Sequence, residues 1–294
     1  MTDRIRRAPV LAAVDGSIVG FRAVAWAATE AALFGCPLHL LTSTAGAGGP
    51  QPAATDAVVR WLREEGERVL AEASRVARTA VTDPALEIST EVTDQPVAEH
   101  LIRRSPEVRM LVVGSRGLGA VRRGLLGSVS SAVTRHAHCP VTVVHTVSAT
   151  DAVTAALPIL VGIDGTENSV PALEAAFEEA SRRRVGLVAL HAWSDISSRL
   201  EVTVEGWTEI RTSEEALLAE SLAGFAERYP QVEVRRVLVY HRPVRSLLDE
   251  AENAQLVVVG SRGRGGFAGM LLGSTAAALV QSADCPVMVV RGTE

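Results

Sequence analysis

Two tandem α/β domains, each a doubly wound, Rossmann-like parallel sheet of five strands with helices on both faces, are predicted by three features of the sequence. The chain repeats itself, each copy alternates short β-branched runs with longer helical patterns, and a glycine-rich segment follows the fourth apolar run of each copy. Gly114, Gly127 and Cys139 recur with unchanged spacing as Gly260, Gly273 and Cys285, and Val14-Asp15-Gly16-Ser17 is matched by Ile163-Asp164-Gly165-Thr166. The domains are therefore placed at residues 1–148 and 157–294. The small, polar stretch from Ser148 to Ala156 has no apolar periodicity and serves as the linker.

Strands in the first copy are expected at Val10–Val14, Leu38–Leu41, Leu86–Val92, Met110–Val113 and Val141–Val144. In the second they fall at Ile159–Ile163, Leu187–Leu190, Val232–Val239, Leu256–Val259 and Val287–Val290. Their nearly continuous apolar character is that of parallel strands buried on both faces. Between them, Ala23, Trp26, Ala27 and Ala31 share one helical face, and Val58, Leu62, Val69, Ala73 and Val76 share another. Thr212 and Glu215 have the spacing of a capping box and place the start of the matching helix in the second copy.

A chain of 294 residues, 47% hydrophobic and 21% charged, suits two globular domains that each bury a core. A net charge of -5 without a long basic run argues against nucleic acid and against an anionic membrane surface. All 29 basic residues are arginine, which excludes a P-loop lysine, a Schiff-base lysine and a lysine general base. Cys36, Cys139 and Cys285 are too few and too scattered for a disulfide framework or a zinc site, so a reducing cytoplasm is expected. The apolar stretch Pro9–Val14 behind Arg4, Arg6 and Arg7 is too short for a signal peptide. No run approaches the ~20 apolar residues of a membrane span.

The chemistry is carried by the segment after the fourth strand. Gly114-Ser115-Arg116-Gly117 is followed by nine residues and then by Gly127-Ser128-Val129 at a helix start; Gly260-Ser261-Arg262-Gly263 is followed by nine residues and then by Gly273-Ser274-Thr275-Ala276. Glycine permits close approach of a ligand to backbone. A helix beginning at Gly-Ser offers unpaired N–H groups and a partial positive charge to an anion. Ser128 and Ser274 are placed to cap the helix or to donate to a phosphate. Asp15 and Asp164 follow the first strand of each copy, where ligands of open α/β sheets bind; they are either acceptors for base or ribose or caps of the next helix. The rest of the first loop, Leu118, Gly119 and Ala120, and of the second, Arg264, Gly265 and Gly266, completes each candidate cradle.

This constellation resembles the universal stress protein family, in the subclass that binds ATP through G-x-x-G, nine residues, then G-S or G-T. The resemblance covers both halves and is similar to the tandem universal stress proteins of mycobacteria and other actinobacteria. It implies a sheet order of 3-2-1-4-5 and ATP as cofactor, with magnesium held through the phosphates. It also implies contacts from Asp15 to the adenosine, from Gly114 and Gly117 to ribose and phosphates, and from Gly127, Ser128 and Val129 to the phosphates. Asp164, Gly260, Gly263, Gly273, Ser274 and Thr275 are the counterparts in the second half. The function implied is a stress-response regulatory module with little or no turnover, without catalytic residues or a dedicated metal site. Besides adenine nucleotide, a second copy of the chain or a regulatory protein is left open as partner.

The halves differ near these loops. Gly162 ends the first strand of the second copy where the first copy has Ala13, whose methyl is expected to crowd the ligand, and Asp195 follows the next strand where it would reach ribose hydroxyls. Tighter binding in the second half is the expectation. Cys139 and Cys285 are read as buried small hydrophobes rather than a redox pair, and Arg116 and Arg262 as solvated loop arginines with phosphate pairing as the alternative. His136 and His138 lack a second cluster to complete a metal shell. Arg182-Arg183-Arg184 is expected to end a helix. Trp193 and Trp207 either lie near the ligand or pack. The competing function is a slow ATP hydrolase or another adenine-nucleotide-processing enzyme; a nicotinamide enzyme is excluded because its glycine fingerprint follows the first strand, not the fourth.

Overall fold

A computed structural model describes residues 8–45, 55–117, 126–145, 152–193, 204–264 and 271–292. The chain divides into two compact units, Met1–Asp151 and Ala152–Glu294.

In the first unit β1 (Val10–Ala13) leads to α1 (Ile18–Phe34), β2 (Leu38–Ser43), α2 (Asp56–Ala80), β3 (Ile88–Thr93), α3 (Val97–Arg104), β4 (Met110–Gly114), α4 (Ser128–His136) and β5 (Val141–Val144). All pairings are parallel: β2 lies between β3 and β1, β1 pairs β4, and β4 pairs β5, giving the order 3-2-1-4-5. The first and fourth strands are thus adjacent in space though far apart in sequence. Their C-terminal loops flank the point where the order reverses, the position at which open α/β sheets bind ligands.

The second unit repeats this plan after a single helical turn at Ala152–Ala155. Its elements are β6 (Ile159–Ile163), α5 (Val170–Arg183), β7 (Leu187–Trp193), α6 (Val204–Arg228), β8 (Val234–Tyr240), α7 (Pro243–Ala251), β9 (Leu256–Gly260), α8 (Ser274–Ser282) and β10 (Val287–Val290). The order is 8-7-6-9-10, again wholly parallel. Every predicted strand forms, within a few residues of the expected bounds. The inner strands are mostly apolar and buried, whereas the edge strands β3 and β8 are half-exposed.

Local chemistry sets the helix ends. Ser17 caps α1 by accepting the Gly20 N–H at 3.0 Å, and Gly35 closes the helix in the left-handed region at φ 60°. Arg184 occupies the matching position after α5 at φ 57°, following the basic last turn Arg182-Arg183 that the sequence predicts as a helix end.

Two expectations are corrected. The capping box at Thr212 does not exist: α6 starts at Val204, Thr212 Oγ1 donates to Thr208 O at 2.9 Å inside the helix, and Glu215 pairs with Arg211 at 3.0 Å instead of reaching back. The buried seam of α2 runs through Gly66, Leu70, Ala73 and Ala77, while Val58 is exposed. The missing side chain of Gly66 lets the helix sit down on the sheet, where a Cβ would lie 3.1 Å from Val92 and 3.2 Å from Thr42. That contact rotates the helix away from the face the apolar pattern marks.

Candidate nucleotide site

In each unit the segment leaving the fourth strand is closed onto the following helix by three backbone bonds. Ser115 N–H donates to Val144 O (2.8 Å), Gly127 N–H to Ser115 O (2.9 Å) and Ser131 N–H to Gly127 O (2.9 Å). The second unit repeats them: Ser261 to Val290 (2.8 Å), Gly273 to Ser261 (2.7 Å) and Ala277 to Gly273 (2.9 Å). These bonds fix the helix start beside the strand end. Gly127 and Gly273 are the N-caps of α4 and α8, and neither end has a side-chain cap. Ser128 and Ser274 are the first helical residues, so the capping alternative read for them falls. The first-turn N–H groups of Ser128, Val129 and Ser130, and of Ser274, Thr275 and Ala276, have no intrahelical acceptor by the geometry of the helix.

The glycines of the motif have separate roles. A Cβ at Gly114 would lie 3.1 Å from Val19 Cγ1, and one at Gly260 would lie 3.0 Å from Asn168 O. Both glycines therefore admit the start of the helix that follows the first strand, α1 or α5, against the end of the fourth strand. A Cβ at Gly117 would overlap Asp15 Oδ2, and one at Gly263 would come within 2.9 Å of Asp164 Oδ2. These glycines bring the loop of the fourth strand onto the carboxylate of the first. Gly127 and Gly273 differ: their φ values of -62° and -67° suit any residue, and a Cβ would meet nothing nearer than 3.4 Å and 3.5 Å. Nothing in the described protein requires glycine at either place.

Each aspartate divides its two oxygens. Asp15 Oδ1 accepts the Ser17 N–H at 3.0 Å, while the cap of α1 is Ser17 itself. Asp164 Oδ1 accepts the Thr166 N–H (2.9 Å), Thr166 Oγ1–H (2.7 Å) and Ser169 Oγ–H (2.6 Å). Burial pushes the Asp164 carboxyl up, but the bonds from Ser169 and Thr166 outweigh it and hold the group below its ordinary value. In both units Oδ2 faces the glycine loop. Arg116 is half-buried and Arg262 exposed; Arg264 reaches back over the first loop, its Nη2 only 2.7 Å from where a Cβ of Gly165 would stand.

The crowding argument for Gly162 is corrected. A methyl there would meet Val259 Cγ1 at 3.1 Å and Leu247 of α7 at 3.3 Å, so glycine serves helix-on-sheet packing, and Ala13 is no obstacle to a ligand on that ground. Leu118, Gly119, Ala120, Asp195, Gly265 and Gly266 lie outside the described residues. Trp193 is buried and its ring packs at 4.7 Å on Tyr240; the side chain of Trp207 is also outside the described set. Burial pushes the Cys139 and Cys285 thiols up to about 12, which leaves little of the nucleophilic thiolate at neutral pH. Among the described residues no group of three or more His, Cys, Asp or Glu side chains is placed to hold a metal ion, and no helix is long and apolar enough to cross a membrane.

A sequence profile of the universal stress protein family matches residues 7–145 and again residues 157–291. The chain belongs to the universal stress protein family. A universal stress protein of Mycobacterium tuberculosis is 43% identical over 286 residues, covering 96% of each chain, and one of Mycolicibacterium smegmatis is 44% identical over 287 residues with the same coverage. The fold is shared with a universal stress protein crystal structure from Archaeoglobus fulgidus, at a TM-score of 0.70 and 22% identity over 98% of this chain and 97% of that one.

The resemblance marked the glycine loops but not every residue that shapes them. Thr166, Ser169 and Ser130 are part of the construction: Ser130 Oγ–H donates to Gly114 O at 2.6 Å and ties α4 to the strand end. His191 and Glu214 meet at 2.6 Å beside the second site, and no spacing in the sequence joins a strand histidine to a helix glutamate twenty-three positions on.

Proposed function

We propose that each half binds an adenine nucleotide, ATP with magnesium carried by its phosphates, and that occupancy rather than turnover is the output. The observation that carries this reading is the pair Gly127 and Gly273. They are glycines that neither backbone conformation nor internal packing requires, each at a helix N-terminus without a side-chain cap in the unit whose aspartate loop meets the glycine loop. A phosphate lying on the first-turn N–H groups needs the space a side chain would fill. The carboxylate oxygens facing the glycine loop, Asp15 Oδ2 and Asp164 Oδ2, supply acceptors for ribose or base.

Little or no hydrolysis is proposed because each aspartate at the site has its Oδ1 tied to its own loop and its Oδ2 turned to the glycine loop. Asp164 Oδ1 is saturated by three donors of its own loop and held below its ordinary pKa, which makes it a poor general base. A cytoplasmic setting is proposed from the three free cysteines. As output, the occupied halves present altered loops to a regulatory protein or to a second copy of the chain.

The deciding experiment is to purify the full chain without added nucleotide, denature it, and identify and count the released small molecules by chromatography. About one or two equivalents of adenine nucleotide, mainly ATP, is the expected result. No release, followed by no heat on titration with ATP and magnesium, would sink the proposal. Prompt conversion to ADP during incubation would favour the hydrolase instead.

A further inference from the structure

The two halves part company where α6 meets the second site. His191 is fully buried in β7, and its Nδ1 stands 2.9 Å from the carbonyl oxygen of Ile163, immediately before Asp164. A carbonyl only accepts, so Nδ1 carries a hydrogen, and the second ring nitrogen, Nε2, faces Glu214 Oε2 at 2.6 Å, a contact that requires a further proton shared between the ring and the carboxyl group. The same carboxylate oxygen lies 3.7 Å from Arg264 Nη2. One oxygen of Glu214 is thus shared between the buried ring of His191 and a guanidinium whose side chain is 40% exposed.

Arg264 is placed for more than this pairing. It directly follows Gly263, whose backbone lies against Asp164 Oδ2, and its guanidinium lies over Gly165, held at φ 73°. It therefore stands between the loop of the first strand and the glycine loop, within the cleft itself. The first half has no such apparatus. Thr42 and Gly66 occupy the positions of His191 and Glu214, with a Gly66 Cβ 3.2 Å from Thr42 Cγ2, and the sequence counterpart of Arg264 is Leu118.

We propose that Glu214 is a positioning residue that holds Arg264 away from the ligand in the empty second site, and that binding of a phosphate-bearing ligand transfers Arg264 from Glu214 to the phosphate. The inference rests on the nucleotide reading and adds to it a regulatory contact confined to one half. At 3.7 Å the carboxylate pairing is loose, whereas a guanidinium on phosphate forms shorter, charge-assisted and often bidentate bonds, so the exchange runs toward the ligand. His191 anchors Glu214 so that the arginine, and not the glutamate, moves.

The test is calorimetric titration of the full chain with ATP and, separately, with adenosine, using native protein, E214Q, R264Q and the double variant. The first-half site serves as internal reference. Freeing Arg264 by E214Q should tighten ATP binding in one of the two sites about threefold, the scale of a part-exposed ion pair, and leave adenosine unchanged. The gain should vanish when Arg264 is also replaced. A gain of equal size in the R264Q background, an equal change with adenosine, or no change with ATP overturns the proposal. If E214Q fails to fold because His191 loses its carboxylate, R264Q alone decides: ATP weakened with adenosine unchanged supports the transfer, and ATP unaffected refutes it. Native protein that binds neither ligand overturns the nucleotide reading together with this one.

Discussion

Replacing Gly127 or Gly273 by alanine separates a ligand site from a pair of inherited turns. Both residues are N-caps with ordinary φ, and the new methyl meets nothing closer than 3.4 Å or 3.5 Å. Two opposed effects act on stability. Alanine is a poorer N-cap than glycine by roughly 0.5–1 kcal/mol. Removing glycine from the unfolded chain restores about 0.4–1 kcal/mol. They cancel to within about 0.5 kcal/mol, so the thermal midpoint should barely move. Binding should respond differently. A phosphate oxygen at about 2.9 Å from a first-turn N–H lies where the methyl would project. Losing one hydrogen bond to a charged group costs about 1.5–3 kcal/mol, or tenfold and more in affinity. The assay is thermal unfolding of each variant alongside calorimetric titration with ATP and magnesium. Native-like unfolding with at least a tenfold loss in one site per variant is the expected pattern. Native affinity in both variants would refute the reasoning and leave Gly127 and Gly273 as turn residues copied by duplication. The same substitution at Gly117 could not separate the two readings, because its methyl would strike Asp15 and disturb the loop with or without a ligand.

Two predictions concern the scaffold. Arg184 sits at φ 57° where the first half has Gly35, so Arg184→Gly should stabilise the chain by about 0.5–1 kcal/mol, the left-handed strain relieved less the entropy glycine adds to the unfolded state; denaturant midpoints with unchanged slope would show it. Glu91, on β3, gathers His39 Nε2 at 3.0 Å, His100 Nε2 at 3.0 Å and Arg104 Nη1 at 3.0 Å. Burial raises its pKa, but His39, His100 and Arg104 together bring it below the ordinary 4.5. A carboxylate depressed in the folded state adds stability that is complete above the unfolded value and is lost as pH falls through the folded one. The Glu91→Gln variant should therefore be less stable than native protein at pH 6, with the gap closing below about pH 4.5 as native Glu91 takes up a proton and becomes uncharged like the glutamine. A gap that is constant from pH 6 to pH 3 in urea unfolding would show that charge is not what Glu91 contributes. Because its side chain is 29% exposed, the effect should stay near 1 kcal/mol.

The strands were legible because parallel strands buried on both faces write themselves as continuous apolar runs, and even β7 and β8 fall within a few residues of expectation. The position of the candidate site was legible for a related reason: order 3-2-1-4-5 forces the loops after the first and fourth strands together, so Asp15 and Gly117 must meet once both are recognised. Side-chain packing between distant elements was not legible. Gly162 reads as a gap for a ligand until Leu247, from a helix more than eighty positions on, is found filling the other side. Gly66 looks like a weak spot in an amphipathic helix until Thr42 and Val92 show why a side chain there would lift the helix off the sheet.

The same limit explains why Gly162 was a poor ground for ranking the halves. Motif spacing is copied faithfully by duplication, so it carries what the sites share and is silent on where they differ. The differences lie in pairs that must change together: Thr42 with Gly66 in the first unit, His191 with Glu214 in the second. A lone histidine in a strand or a lone glutamate in a helix is unremarkable, and only the fold brings them to 2.6 Å. Once they are joined, the direction of the asymmetry follows from charge. The second site contains a carboxylate that competes with phosphate for Arg264, whereas the first has a glycine, Gly66, in its place. An advantage for the second site therefore has to come from what Arg264 gains on the ligand, in excess of what it gives up at Glu214.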